Sequence, residues 1–96
     1  MTFDKQSQVG TADVLKALGH PTRLWIVKEL CDGEHCVCEF VEAVGDAFPT
    51  ISRHLAVLKD AGVVSDRRDG KSIYYRLARP CIAQFLDCLE GKKCKR

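Results

Sequence analysis

The sequence contains neither a long apolar run nor a recognisable catalytic arrangement. No segment approaches the roughly 20 apolar residues that a membrane helix needs. The N-terminus, Met1-Thr2-Phe3-Asp4-Lys5-Gln6, lacks the basic and apolar regions of a secretory signal. No Ser-His-Asp order, phosphate-binding loop or pair of carboxylates in a pocket can be assembled, so an enzyme is not expected. We therefore expect a cytoplasmic protein without membrane contact.

Net charge is also small, at +2 over 96 residues, but it is unevenly distributed. Residues 1–52 carry a net charge of −4, residues 53–79 carry +4 and residues 80–96 carry +2. A basic second half suits a polyanionic partner on one face of the molecule. A solvated basic surface would give the same pattern, so charge alone does not decide between these interpretations.

Cysteine, by contrast, is abundant. The six thiols are Cys31, Cys36, Cys38, Cys81, Cys88 and Cys94. Without a secretory signal, metal binding or redox chemistry is a better interpretation than a disulfide framework. With 46% hydrophobic residues, the chain can form one compact core, and its small size favours a partner.

Hydrophobic periodicity predicts one domain over residues 11–90, between a flexible N-terminal arm, residues 1–10, and a basic C-terminal tail, residues 91–96. Caps, prolines and glycines place four helices: from Thr11 to Leu18, from Pro21 to the break at Cys31, over residues 38–44, and from Pro49 to Gly62. Helices three and four, joined by a short connection that contains Gly45, are typical of a helix-turn-helix.

Beyond Gly62 the apolar period changes from helical to alternating. Two strands, residues 63–68 and 72–77, flank Asp69-Gly70, which is expected to form a two-residue hairpin turn. Pro80 then begins a last helix. The predicted order is ααααββα, a mainly α winged helix-turn-helix with a small β-hairpin, whose terminal helices are free to form a homodimer interface.

The second helix of a helix-turn-helix enters the DNA major groove, and residues near its N-terminus contact bases. Four side chains at that end are expected to bind DNA: Thr50, Ser52, Arg53 and His54. Arg53 can reach a guanine edge or a phosphate, and His54 can equally pack between helices. Three further cations at the hairpin tip are expected to contact phosphate or the minor groove: Arg67, Arg68 and Lys71.

Cys36 and Cys38 lie one residue apart where the third helix is expected to begin. Thiolates are soft ligands that suit As(III), Cd(II), Pb(II) and Zn(II). Residues i and i+2 of an intact helix do not face each other, so we expect the two thiols to share an ion only if the helix start is distorted. Such a distortion would disturb the DNA-reading helix that follows.

Four blocks of sequence, in this order, together resemble the ArsR/SmtB family of metal(loid)-responsive repressors over about residues 12–90, and the arsenical-resistance type most closely. The blocks are Leu18-Gly19-His20-Pro21-Thr22-Arg23, Glu34-His35-Cys36-Val37-Cys38-Glu39-Phe40, residues 51–58 and residues 67–77. The resemblance implies a homodimer, with no permanent cofactor, that occupies double-stranded operator DNA and leaves it when arsenite binds.

The sequence departs from that family at the thiols. Arsenite repressors of the most similar kind carry a third cysteine where this chain has Val41, and the residue before the first thiol, usually leucine, is His35. A third protein ligand would have to come from elsewhere: Cys31 and Cys94 are the first candidates, and His35 would suit zinc better than arsenic. Cd(II), Pb(II) or Zn(II) as inducer remains an alternative, although the N-terminal arm offers no cysteine. A redox- or sulfide-sensing repressor is another alternative, in which Cys31 forms a disulfide with Cys88 or Cys94.

Overall fold

Five helices and a small antiparallel sheet make up residues 1–91, the part of the chain that the computed structural model describes. The elements are α1 (Lys5–Leu18), α2 (Pro21–Leu30), β1 (His35–Cys36), α3 (Val37–Val44), α4 (Phe48–Asp60), β2 (Val64–Asp69), β3 (Ser72–Leu77) and α5 (Cys81–Leu89). The predicted winged helix-turn-helix is confirmed, with β1 as an addition. Cys94 and the cationic tail lie outside the described residues.

The first helix is longer than expected. It begins at Lys5 rather than Thr11, so residues 5–10, which we expected in a flexible arm, are helical. Asp4 caps this end, because its carboxylate oxygen accepts a hydrogen bond of 3.0 Å from the backbone N–H of Gln6. Every side chain in residues 5–10 is exposed. Hydrophobic periodicity therefore could not predict the extension, since this part of the helix packs against nothing.

The core is centred on α4. Ile51, Leu55 and Leu58, which recur at helical spacing and form an apolar stripe in the sequence, are fully buried. They belong to one cluster with the inner faces of the other helices and the start of the hairpin, which includes Ile26, Val27, Leu30, Phe40, Val63, Ile82 and Leu86. Each such side chain stabilises the fold by about 1.5–3 kcal/mol relative to leaving it exposed. This packing fixes α4, and with it the face that would meet DNA.

The sheet has three strands in the order β1-β3-β2. Asp69 pairs with Ser72, so the hairpin turn is Gly70-Lys71, one residue later than the Asp69-Gly70 turn that we expected. Gly70 adopts a φ of 63°, which a residue without a Cβ tolerates best. The expected turn was wrong because Asp69 is the last residue of β2 and does not belong to the turn. Strand β1 joins the hairpin through the pairs His35–Tyr75 and Cys36–Tyr74.

Three aromatic rings connect α2 to the start of α3. Trp25 of α2 lies edge-on to Phe40, with ring centroids 6.1 Å apart and an interplanar angle of 80°, a favourable arrangement for aromatic pairs. The centroid of the His35 ring lies 5.8 Å from that of Phe40. Trp25 therefore packs within the domain.

Within residues 1–91, none of the helices is both long enough and apolar enough to cross a membrane.

Candidate thiol site and nucleic-acid interface

The two thiols meet at the junction of β1 and α3. Cys36 is the N-cap of α3, with extended dihedral angles of φ −76° and ψ 145°, and Cys38 lies in the first helical turn. The Cys38 thiol donates to the Cys36 sulfur, with the two Sγ atoms 2.8 Å apart. Our expectation that the pair needs a distorted helix was wrong, because Cys36 precedes the helix and is not bound by its geometry. The sulfurs converge while α3 is intact.

Glu39 holds the backbone that carries the first thiol. Its Oε2 accepts a hydrogen bond of 2.7 Å from the backbone N–H of Cys36, and its Oε1 lies 3.1 Å from Nδ1 of His35. These contacts, the bond from Cys36 first, lower the pKa of the Glu39 carboxyl. Glu39 was not among the predicted site residues, although a Glu three residues after an N-cap has the spacing of a capping box.

The two thiols differ in access to solvent. Cys36 is buried, whereas Cys38 is exposed. The hydrogen bond to Cys36 is the main reason that the pKa of the Cys38 thiol is raised, and burial adds to it. The pair thus offers two adjacent soft donors, of which one can be approached from solvent.

Residues 1–91 contain no third ligand beside this pair. No group of three or more His, Cys, Asp or Glu side chains in that range could hold a metal ion. Cys31, one of the two predicted third ligands, ends α2 with its Sγ donating to the carbonyl oxygen of Val27 at 3.4 Å. It lines a cleft with Pro80 and Ala83, at the start of α5. The structure therefore does not bring Cys31 to the thiol pair, and Cys94 remains a prediction.

The start of α4 presents the expected polar groups. Thr50 and Arg53 are exposed, and Ser52 is half-buried. Phe48, which sequence reasoning missed, occupies the first position of α4 and is 52% exposed. An apolar side chain at this end of a DNA-reading helix can contact a thymine methyl group. Its spacing from Ile51 matches the apolar stripe, so the sequence alone would place it in the core.

His54 is half-buried and lies against residues at the start of α2. Its ring centroid lies 4.6 Å from that of His20, and its Nδ1 lies 3.4 Å from Nη1 of Arg23. Burial, followed by the positive charges of His20 and Arg23, lowers the pKa of His54. Of the two roles that the sequence left open, the structure favours packing between helices.

The three hairpin cations also differ from one another. Arg67 donates from Nε and Nη2 to the two carboxylate oxygens of Glu34, at 2.8 and 2.7 Å. These bonds raise the pKa of Arg67 and lower that of Glu34. Arg68 and Lys71 are exposed, and neither forms an ion pair with any residue in the described range 1–91.

A helix-turn-helix of α3 and α4, followed by a hairpin wing with exposed cations, defines a winged-helix DNA-binding regulator. The pattern of the arsR family of bacterial regulatory proteins matches residues 20–66. The chain is 42% identical over 78 residues to the biofilm growth-associated repressor of Xylella fastidiosa strain Temecula1, covering 81% of this chain and 68% of that protein. It belongs to the ArsR family, and is therefore a transcriptional regulator of the repressor type rather than an enzyme.

Two further similarities support this assignment. The arsenic resistance transcriptional regulator ArsR1 of Pseudomonas putida is 45% identical over 80 residues, or 79% of this chain and 59% of that protein. The crystal structure of the transcriptional repressor BigR from Xylella fastidiosa superposes with a TM-score of 0.78 at 37% identity, covering 95% of this chain and 94% of that chain. Some relatives are named for arsenic resistance and others are not, so membership alone does not identify an inducer.

Proposed function

We propose that this repressor binds operator DNA as a homodimer and releases it when As(III) binds Cys36 and Cys38. The observation that carries the proposal is the 2.8 Å separation of the two Sγ atoms at the start of the helix-turn-helix. Two thiol sulfurs at this distance are a preformed donor pair for a thiophilic ion. Because α3 stays helical, binding does not have to unfold it first.

The chemistry is ligand exchange at trivalent arsenic. In As(OH)₃, each of the two thiols replaces one hydroxide, so that two As–S bonds form, two As–O and two S–H bonds break, and two water molecules leave. Arsenic keeps its oxidation state. Cys38, which is exposed, reacts first, and the buried Cys36 closes the chelate. The third position keeps its hydroxide, or accepts Cys94, which the sequence predicts as a third ligand.

Release of DNA follows from the position of the pair. Cys36 belongs both to β1, which pairs with the wing, and to the cap of α3, which packs against α4. Arsenic that bridges Cys36 and Cys38 therefore changes the segment from which both DNA-contacting elements are positioned. If the bridged arrangement fits DNA less well, linkage requires arsenite to lower operator affinity and DNA to lower arsenite affinity by the same factor.

The DNA interface in this proposal consists of the exposed start of α4 and the wing. Its α4 members are Thr50, Ser52 and Arg53, which face the major groove, and its wing members are Arg68 and Lys71, which contact phosphate. His54 supports α4 from the inside. The homodimer presents two such surfaces to a two-fold symmetric operator.

The test measures release of DNA in parallel titrations with arsenite, cadmium, lead and zinc. A labelled duplex selected by the protein from a random library is followed by anisotropy in a phosphine reductant, which keeps thiols reduced without adding a competing thiol. Arsenite is expected to weaken binding of the wild-type protein by about tenfold or more. The double variant Cys36→Ser/Cys38→Ser should bind the duplex as tightly as wild type and should not be released.

Cys81→Ser/Cys88→Ser is the matched control, because both thiols are exposed but lie on α5, and it should respond like wild type. Release of the Cys36/Cys38 double variant by arsenite would place the inducer site elsewhere. Release of wild type by cadmium, lead or zinc but not arsenite would make the inducer a divalent ion. Release only by an oxidant, reversed by dithiothreitol, would replace arsenite with redox sensing.

A further inference from the structure

Arg67 differs from the other two wing cations because its charge is already paired. Two of its guanidinium nitrogens donate to both oxygens of Glu34, at 2.8 and 2.7 Å. The guanidinium carbon also lies 4.7 Å from the centre of the Tyr74 ring, within the range of a cation–π contact. Its remaining terminal nitrogen is 3.8 Å from a carboxylate oxygen of Asp69. The fork that would grip a phosphate is therefore occupied by a carboxylate.

The partner of Arg67 belongs to the segment that carries the thiols. Glu34 immediately precedes β1. In the sheet, Cys36 of β1 lies opposite Tyr74 of β3, and Tyr74 lies opposite Arg67 of β2. Cys36, Tyr74 and Arg67 thus form one row across the three strands.

The strand order shows what the side-chain bond between Glu34 and Arg67 adds to the sheet. Strand β1 pairs only with β3, because the strand order is β1-β3-β2. The outer strand of the wing, β2, has no backbone hydrogen bond to the thiol segment. The bond between Glu34 and Arg67 spans β3 and joins that outer strand to the thiol segment.

We propose that Arg67 is a positioning residue which, with Glu34, fastens the wing to the segment that carries Cys36 and Cys38. Arg68 and Lys71, not Arg67, contact DNA phosphate at the wing. The bond between Glu34 and Arg67 also couples inducer binding at the thiols to the position of the wing. This second claim rests on the proposed function. The positioning role replaces the one expected for Arg67 from the sequence, where three clustered cations could not be told apart.

The salt dependence of DNA binding tests the claim that Arg67 does not contact DNA phosphate. Glu34→Gln/Arg67→Gln removes both charges and conserves net charge; Glu34→Gln keeps the shape of its side chain, and Arg67→Gln shortens it. Because the pair is solvent-exposed, its loss should change stability little. The slope of log affinity against log salt should equal that of wild type, whereas the control Arg68→Gln, which removes one phosphate contact from each subunit of the homodimer, should flatten it by about two. An equal flattening in both variants would show that Arg67 contacts phosphate and overturn the proposal.

Amide hydrogen exchange tests the fastening itself and needs no inducer. In Glu34→Gln/Arg67→Gln, amides of residues 34–37 and of β3 should exchange faster by about threefold or more, since β1 loses its second attachment. Amides of α4 near Leu55 should exchange as in wild type. Unchanged protection of residues 34–37 would contradict the fastening.

The inducer part is tested by the ratio of DNA affinities without and with arsenite. This ratio should be smaller by about threefold or more in Glu34→Gln/Arg67→Gln than in wild type, while the arsenite stoichiometry stays the same. An equal ratio in both proteins would overturn the coupling. If arsenite fails to release even wild type, the proposed function and the coupling fail together, and the fastening stands or falls on the salt slope and the exchange rates.

Discussion

His54 illustrates, at the scale of one residue, how a side chain on the DNA-reading helix can serve the interior. It lies against His20 and Arg23, which belong to the junction of α1 and α2. From the sequence, a lone histidine near a helix start fits either DNA contact or packing. Its neighbours come from another part of the chain, so only the tertiary structure distinguishes the two.

The environment of His54 predicts a pH-dependent stability. Its pKa is lowered by burial, then by His20, Arg23 and Arg53, while Asp46 acts in the opposite direction. The unfolded chain, whose histidines titrate near about pH 6.5, therefore binds a proton at this position more readily than the folded chain. Stability from this group is complete above that pH and is lost as pH falls from there through the lower pKa of His54 in the folded state.

We therefore expect the melting temperature of wild type to fall between about pH 7.5 and about pH 5.5, and to fall less in His54→Gln. Differential scanning calorimetry at both pH values measures this difference. An equally steep fall in the variant would show that other groups cause the dependence.

The thiol pair shows how far single residues could be predicted. Two cysteines one residue apart predicted a candidate site here, because the chemistry of thiols is independent of the fold. Whether they converge depends on the position of one helix boundary, since Cys36 outside α3 can face Cys38 and Cys36 inside it could not. The predicted helix over residues 38–44 already left Cys36 outside, but Glu39, the partner of Cys36 at that boundary, was not predicted.

At the scale of elements, α4 was the most predictable part. Ile51, Leu55 and Leu58 recur at helical spacing, and all three are buried. Phe48 continues that spacing but is 52% exposed, because the first turn of α4 extends beyond the core. Periodicity predicts which face of a helix is buried, not how far along the helix the burial reaches.

The burial of α4 predicts a sharp contrast between two neighbouring substitutions. Leu55→Ala, at a fully buried position, should lower the free energy of unfolding by about 2–5 kcal/mol, through lost burial and the cavity left behind. Val57→Ala, at a partly exposed position of the same helix, should change it by about 0.5 kcal/mol or less. Urea denaturation followed by circular dichroism measures both, and similar losses would contradict the assigned packing of α4.

The sheet was predicted in part. The hairpin strands β2 and β3 follow from alternating polarity and a glycine turn, but β1 is only two residues long, too short to show a period. Its existence depends on β3 being beside it, a relation between distant parts of the chain. The connection between the thiols and the wing was therefore invisible in the sequence.

At the scale of the whole molecule, apolar side chains remain exposed on the two terminal helices. Leu15 of α1 and Phe85 and Leu89 of α5 are among the large exposed apolar residues. A groove between these helices is lined by Leu15 and Phe85, with Val14 and Ile82. Clustered apolar surface of this kind marks a protein contact, in agreement with the homodimer that we propose.

Phe85→Glu should therefore convert the dimer into a monomer and weaken operator binding by about tenfold or more, because one half-site is then bound at a time. Sedimentation velocity measures the first effect and anisotropy the second. Val57→Glu, a similar change on α4, should leave the protein dimeric. A Phe85→Glu protein that sediments as a dimer would place the interface elsewhere.

The packing of Trp25 against Phe40 also gives the molecule an internal optical reporter. The chain has one tryptophan, and its indole packs against the Phe40 ring, which also lies beside His35, the neighbour of Cys36. Tryptophan emission from this protein therefore arises from a single indole next to the start of α3. Ligand binding at the thiols can be followed by the natural fluorescence of the unlabelled chain, in the presence or absence of DNA.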